Sequence, residues 1–259
     1  MTDRFISIVH DSDVAIVTLD RPAKLNALTP GMLDQLEHAA RELEADASTR
    51  VVILTGSGAK AFCVGADINE WAALEPLDMW RRWVRRGHQV FDQWARLRQP
   101  VIAAINGHAF GGGLELAITA DVRIAAESAT FALPEASIAT CPGWSGTQRL
   151  VRLIGASRAK YLALSGARVT AADAQACGLV HEVAPQARVL ERAHRLALEM
   201  AARAPVSLQL TKQLINAASG EETGSTLEAM AGALAASTED AAEGIRSFQE
   251  KRPPVYAGR

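Results

Sequence analysis

The chain has 259 residues, 49% hydrophobic and 22% charged, which is ample for a sizeable core in one large domain or two small ones. A formal charge of −2 and a sequence pI near 6.3 give no general attraction to nucleic acid or to an anionic membrane. Cys63, Cys141 and Cys177 lie far apart, without metal-ligand spacing, and their odd number cannot close a disulfide set, which fits a reducing compartment. No apolar run approaches the roughly 20 residues needed to span a bilayer. The sequence opens on alternating residues rather than an apolar signal core, so a soluble, cytoplasmic protein is expected.

In chain order, Phe5–His10 and Val14–Leu19 read as two strands joined by a tight turn at Asp11-Ser12-Asp13. Thr29 caps a helix with Pro30 in its first turn and an apolar face of Met32, Leu33, Leu36, Ala39, Ala40 and Leu43. The β-branched run Val51–Thr55 is a buried strand. Gly65-Ala66-Asp67 is a strand-to-helix corner with small residues at its apex, where Asp67 serves most simply as a helix cap. Residues 71–98 carry Trp71, Trp80, Trp83 and Trp94 among several arginines. That mixture suits an amphipathic helix with buried indoles and solvated guanidinium groups better than a nucleic-acid surface.

Pro100–Ile105 reads as another buried strand, running into Asn106–Ala117 with three consecutive glycines at 111–113. A helix starting there aims free N–H groups at whatever faces it, and its first turn carries Glu115. Backbone donors for an oxyanion beside a potential acid or base make a catalytic corner; the same residues would also serve a turn needed only for packing. The missing Lys-Ser/Thr and the missing GxGxxG spacing argue against a phosphate loop. Beyond it come a short strand at Asp121–Ala125, an extended Thr130–Glu135, a loop from Ala139 to Gly146, helices over Gln148–Leu153 and Arg158–Leu164, and a short strand at Leu179–Val183. From Ala187 the chain is largely helical. Strands alternating with helices, then helices alone, predict an α/β domain with a helical C-terminal part.

Three stretches carry a broader resemblance: Ala61–Ile68, Asn106–Ala117 and Pro142-Gly143-Trp144-Ser145-Gly146-Thr147-Gln148-Arg149-Leu150. With Leu19-Asp20-Arg21-Pro22, Lys24–Leu28 and Phe248–Arg252, they make the chain similar to the crotonase superfamily, the enoyl-CoA hydratases and isomerases, over nearly its whole length. The resemblance implies a ββα spiral with two roughly perpendicular sheets over residues 1–200. It implies a helical oligomerisation region over 201–259 that forms homotrimers, usually paired into hexamers.

It further implies an oxyanion hole from the N–H groups of Ala66 and Gly112, stabilising a thioester enolate. Glu115 and Glu135 match the two hydratase glutamates, one orienting and deprotonating water and the other supplying the α-proton, so that water adds to a 2-enoyl-CoA. An isomerase or another enolate-forming lyase is the nearest alternative. An RNA-binding role is opposed by the charge and by the intact glutamates, and nothing but the paired carboxylates suggests a glycosidase. Lys24, Ala66, Asp67, Ile68 and Gly112, with Phe248 and Lys251, are expected along the coenzyme A part of the substrate. No separate cofactor or metal is expected, because hydration is redox-neutral. Gly143 and Trp144 are expected at the acyl pocket. Trp144-Ser145 replaces the Ala-Gly of typical hydratases, so the acyl chain is not readable, and His108 is expected to be structural.

Overall fold

The computed structural model describes residues 4–72 and 74–259. Its strands fall into two sheets. The larger contains β1 (Ile6–Asp11), β2 (Val14–Leu19), β3 (Val51–Gly56), β5 (Val101–Ile105), β7 (Val122–Ala126) and β10 (Glu182–Ala184), in the order β1-β2-β3-β5-β7-β10. Only β1–β2 is antiparallel. The smaller sheet has the order β4-β6-β8-β9, with β4 (Ala61–Cys63), β6 (His108–Phe110), β8 (Thr130–Ala132) and β9 (Val169–Thr170). The pairs β3/β4, β5/β6 and β7/β8 each send their first strand to the large sheet and their second to the small one, before a helical segment. This is the two-sheet ββα progression that the resemblance implied.

The helices are α1 (Pro30–Ala45), α2 (Ile68–Trp71), α3 (Pro76–Asp78), α4 (Arg85–Arg96), α5 (Gly112–Ala117), α6 (Gly146–Ser165), α7 (Ala171–Ala176), α8 (Val189–Ala201), α9 (Pro205–Ala218), α10 (Thr223–Ala236) and α11 (Glu239–Glu250). The Thr29 hydroxyl accepts from Met32 N at 3.2 Å, as an N-cap should, and the predicted apolar face of α1 is buried throughout. Two expected helices at 148–153 and 158–164 form one element, α6, broken at Gly155, whose φ of 79° no helix accommodates. The expected strand at 179–183 shifts to β10, pairing with β7.

The Trp/Arg segment departs most from expectation. It is not one amphipathic helix but α2, α3, a π-helical turn at Met79–Val84 and α4. Trp83 and Trp94 are buried, whereas Trp80 is exposed beside Arg81. The indole N–H of Trp94 donates to Leu36 O at 3.1 Å, and Arg86 reaches Asp34 and Glu37, fixing α4 on α1.

The chain divides into two compact units, residues up to Gln209 and Leu210–Arg259. In the second, Arg252 pairs with Glu243 and Glu250, and the N–H groups of Ala257 and Gly258 donate to Asp240, folding the end of the chain onto α11.

One buried amide ties the loop after β2 to β4. Asn26 Nδ2 donates to the carbonyls of Ser57, Ala61 and Phe62 at 3.0, 3.1 and 3.0 Å, and its Oδ1 accepts Arg21 N at 2.9 Å. Asn26→Asp puts a carboxylate against those three carbonyls in a dry site. It is expected to lower unfolding free energy by about 3 kcal/mol or more, read from denaturant midpoints; an unchanged midpoint would remove this role.

Candidate active site

Two small-residue corners meet at one cavity. At the first, Leu28 and Ala66 form a parallel bridge in which Leu28 N donates to Gly65 O and Asp67 N donates to Leu28 O, both at 2.8 Å. In such a bridge the middle residue's own N–H points to the other side, so Ala66 N turns away from Leu28. At the second, Gly111 takes φ 50°, ψ −127°, a conformation closed to residues with a Cβ, and α5 starts at Gly112. First-turn N–H groups of a helix have no partner within it. A Cβ on Gly112 would lie 3.6 Å from Ala66 N, and one on Gly65 would lie 3.0 Å from Gly112 N, so the corners are tightly apposed. Ala66 and Gly112 both line a cavity of about 140 Å³.

Glu115 and Glu135 line the same cavity. Glu115, in the first turn of α5, is 2% exposed, and its Oε1 accepts the N–H groups of Trp144 and Gly146, each at 2.8 Å. Burial raises its pKa, opposed by the peptide donors of Trp144, Gly146 and Gly143. Glu135 opens a 3-10 turn after β8, and its Oε2 is buried without a hydrogen-bond partner. Burial, with the Glu115 charge adding to it, pushes its carboxyl up to about 7. The two carboxyls therefore differ in kind. Burial raises both, but at Glu115 peptide donors oppose the rise, whereas Oε2 of Glu135 has no such partner.

Trp71, Met79, Trp83, Val84 and Trp144 form the apolar wall. Trp144 is 3% exposed and sits 5.3 Å from the Trp83 ring and 5.2 Å from Phe91 between centroids. A Cβ on Gly87 would fall inside its indole, and a Cβ on Gly112 would lie 2.7 Å from its Cζ3. The ring thus fills the space between α4 and the first turn of α5.

Comparison with known proteins agrees with this geometry. The family described as enoyl-CoA hydratase/isomerase matches residues 10–259. The chain belongs to that family. It is 38% identical to the short-chain-enoyl-CoA hydratase of Clostridium acetobutylicum over 95% of both chains. It is 41% identical to the 2,3-dehydroadipyl-CoA hydratase of Escherichia coli, over 95% of this chain and 96% of that one. A crystal structure of enoyl-CoA hydratase from Bacillus anthracis aligns with a TM-score of 0.82 at 39% identity, covering 99% of this chain and 100% of that one. The crotonase fold and the enoyl-CoA hydratase/isomerase membership expected from the motifs are therefore established.

Among the residues expected to work in this family's pocket, Ala66, Ile68, Gly112, Glu115, Glu135, Gly143 and Trp144 come together around the cavity. Lys24 and Asp67 do not line it. Lys24 ends an exposed 3-10 turn. The Asp67 carboxylate is engaged elsewhere: it accepts Arg21 Nη1 at 2.7 Å and caps α2 through Asn69 N at 3.1 Å. Arg21 holds its pKa low. Phe248 and Lys251 lie in the second unit, where Phe248 is 86% exposed and Lys251 is the left-handed residue that ends α11.

His108 meets Thr130 Oγ1 at 2.9 Å, stacks on Phe110 and is not part of the cavity lining. Of the cysteines, Cys63 is buried, with its thiol pushed up to about 12 by burial, while Cys141 is exposed and lines the cavity. Sequence reasoning missed the Met79 and Val84 side of the wall, and the peptide donors that hold Glu115. A backbone N–H leaves no mark on residue identity.

Proposed function

We propose that this protein is an enoyl-CoA hydratase, adding water reversibly and syn to a 2-enoyl-CoA to give a 3-hydroxyacyl-CoA. The observation that carries the reading is the pair of unlike carboxyls, Glu115 and Glu135, in one cavity beside the open N–H groups of Ala66 and Gly112. As water attacks the β-carbon, negative charge grows on the thioester oxygen, and two pre-aimed donors stabilise it as an enolate. With Oε1 of Glu115 occupied by peptide donors, water is oriented and deprotonated by the other oxygen. Glu135 delivers its proton to the α-carbon from the same side. The hydratase names of relatives near 40% identity support the same reading.

The test is crotonyl-CoA with the purified protein, following loss of the enoyl absorbance and identifying the product by mass. A gain of one water supports hydration. A product of unchanged mass with a moved double bond means isomerase chemistry instead. The proposed cycle needs one proton shared by the glutamate pair. Since Glu135 sits at about 7, kcat/KM should decline on the alkaline side with a midpoint at or above about 7, and on the acid side as Glu115 protonates. A profile flat from acid to alkaline pH would contradict the assignment.

The coenzyme A part is proposed to run outward past Ala66 and Ile68, with Lys24 meeting a phosphate and Phe248 and Lys251 contributed by a neighbouring subunit. In the second unit Leu214, Leu227, Leu234, Ile245 and Phe248 are all at least 55% exposed, which supports self-association through residues 201–259 as a trimer or a hexamer. Light scattering that finds only a monomer would remove that proposal.

A further inference from the structure

The turn that grips Glu115 pivots on a residue other than glycine. Ser145 lies at φ 75°, ψ 7°, in the left-handed region that glycine occupies freely and serine does not. A turn with a left-handed residue at its centre can aim the N–H groups of the residues before and after it at a common point, forming a small anion-binding concavity. Here the N–H groups on either side, from Trp144 and Gly146, meet on one oxygen of Glu115. The hold on the glutamate therefore depends on a torsion that the backbone of serine disfavours.

The side chain supplies what the backbone lacks. Ser145 is 6% exposed, and its Oγ lies 3.1 and 3.2 Å from the two ring nitrogens of His88 and 3.2 Å from Asp92 Oδ1. Ser145 does not line the cavity, so this is not a nucleophile paired with a base. Asp92 is itself gripped by Arg149 at 2.8 Å, with Arg96 at 3.6 Å and His88 at 3.4 Å. Asp92 on α4 thus meets the start of α6 at two points, Ser145 and Arg149.

We propose that Ser145 is a positioning residue whose hydroxyl, anchored on His88 and Asp92, holds the 144–146 turn in the left-handed shape that keeps both peptide N–H groups on Glu115. The geometry stands by itself; its consequence for turnover rests on the hydratase reading of Glu115. The charged groups around Glu115 are Glu135 from the turn after β8 and Arg149 from α6, with His88 and Asp92 of α4 reaching it through Ser145.

The test reads the Glu115 carboxyl directly. Isotope-edited infrared titration of 13C-glutamate protein is done in a Glu135→Gln background, where Glu115 titrates without its neighbour, with Glu115→Gln/Glu135→Gln as blank. Ser145→Ala should raise the proton affinity of Glu115 by roughly tenfold, because donors that favoured the anion are loosened, whereas Ser145→Gly, whose backbone takes the left-handed torsion freely, should leave it near the native value. In the otherwise native enzyme Ser145→Ala should lower kcat on crotonyl-CoA more than it alters KM. An unmoved titration in both variants overturns the proposal. A shift of the same size in glycine also overturns it, since the hydroxyl would then act on Glu115 by some route other than holding the torsion. Should Ser145→Ala fail to fold, His88→Ala/Asp92→Ala removes both anchors and is expected to give the same shift. If the native protein hydrates nothing, the hydratase reading fails while the infrared result still decides the role of Ser145.

Discussion

Glu115→Gln and Glu135→Gln are each expected to lower kcat for hydration of crotonyl-CoA by about 10³-fold, within the range for a positioned acid or base. Glutamine at 115 can still accept the N–H groups of Trp144 and Gly146, so the fold of the turn is kept while the ability to take a proton is lost. Glutamine at 135 keeps the shape of the side chain against Gly111, where a Cβ would lie 2.9 Å from Glu135 Oε1, but has no proton to give. The double variant should be little worse than either single one, because both carboxyls act on one addition and losing either stops it.

Stability should move the other way for Glu135. Its folded-state pKa is raised to about 7, so between its ordinary value and that point the folded protein binds more protons than the unfolded chain, and stability falls as pH rises. Glu135→Gln removes that slope, and thermal melts from mildly acidic to neutral pH should be flatter than those of the native protein. Turnover within tenfold of native in either variant would sink the assignment of roles.

The second large effect is expected at Trp144. Trp144→Ala removes an indole wedged between Trp83, Phe91 and the first turn of α5, and should cost about 3–5 kcal/mol of stability. It also opens the apolar end of the cavity. Each methylene newly admitted gains about 0.8 kcal/mol of burial, close to fourfold. The ratio of kcat/KM for 2-decenoyl-CoA over crotonyl-CoA should therefore rise by one to two orders of magnitude, on the order of two to three methylenes' worth. An unchanged ratio in a folded variant would mean that the acyl tail leaves the cavity elsewhere.

The sequence made the large sheet readable because its strands are continuous β-branched or apolar runs, such as Val51–Thr55 and Val101–Ile105, each flanked by turn residues. The small sheet was harder, since β4, β6 and β8 have three residues each, too few for a period to show. The catalytic corners were readable as glycine clusters followed by an acid. The Trp/Arg segment misled because the spacing of its tryptophans suits a straight helix. A π-helical turn at Met79–Val84 changes the angular position of each residue, leaving Trp80 outward and Trp83 inward. Asp67 illustrates a different limit: a carboxylate beside a small-residue corner can serve a ligand or cap a helix, and only the distance to Arg21 tells which. The Glu115 turn could not be foreseen at all, because its donors are peptide groups and its anchors, His88 and Asp92, lie more than fifty positions away.

Gly87 and Trp144 also constrain how this chain can be changed. With the indole in place, no side chain at 87 can coexist with it; with any side chain at 87, the indole has nowhere to go. The two positions cannot be changed in arbitrary order. A library that restores a side chain to α4 at this position must first replace the tryptophan, and one that keeps the tryptophan must keep the glycine.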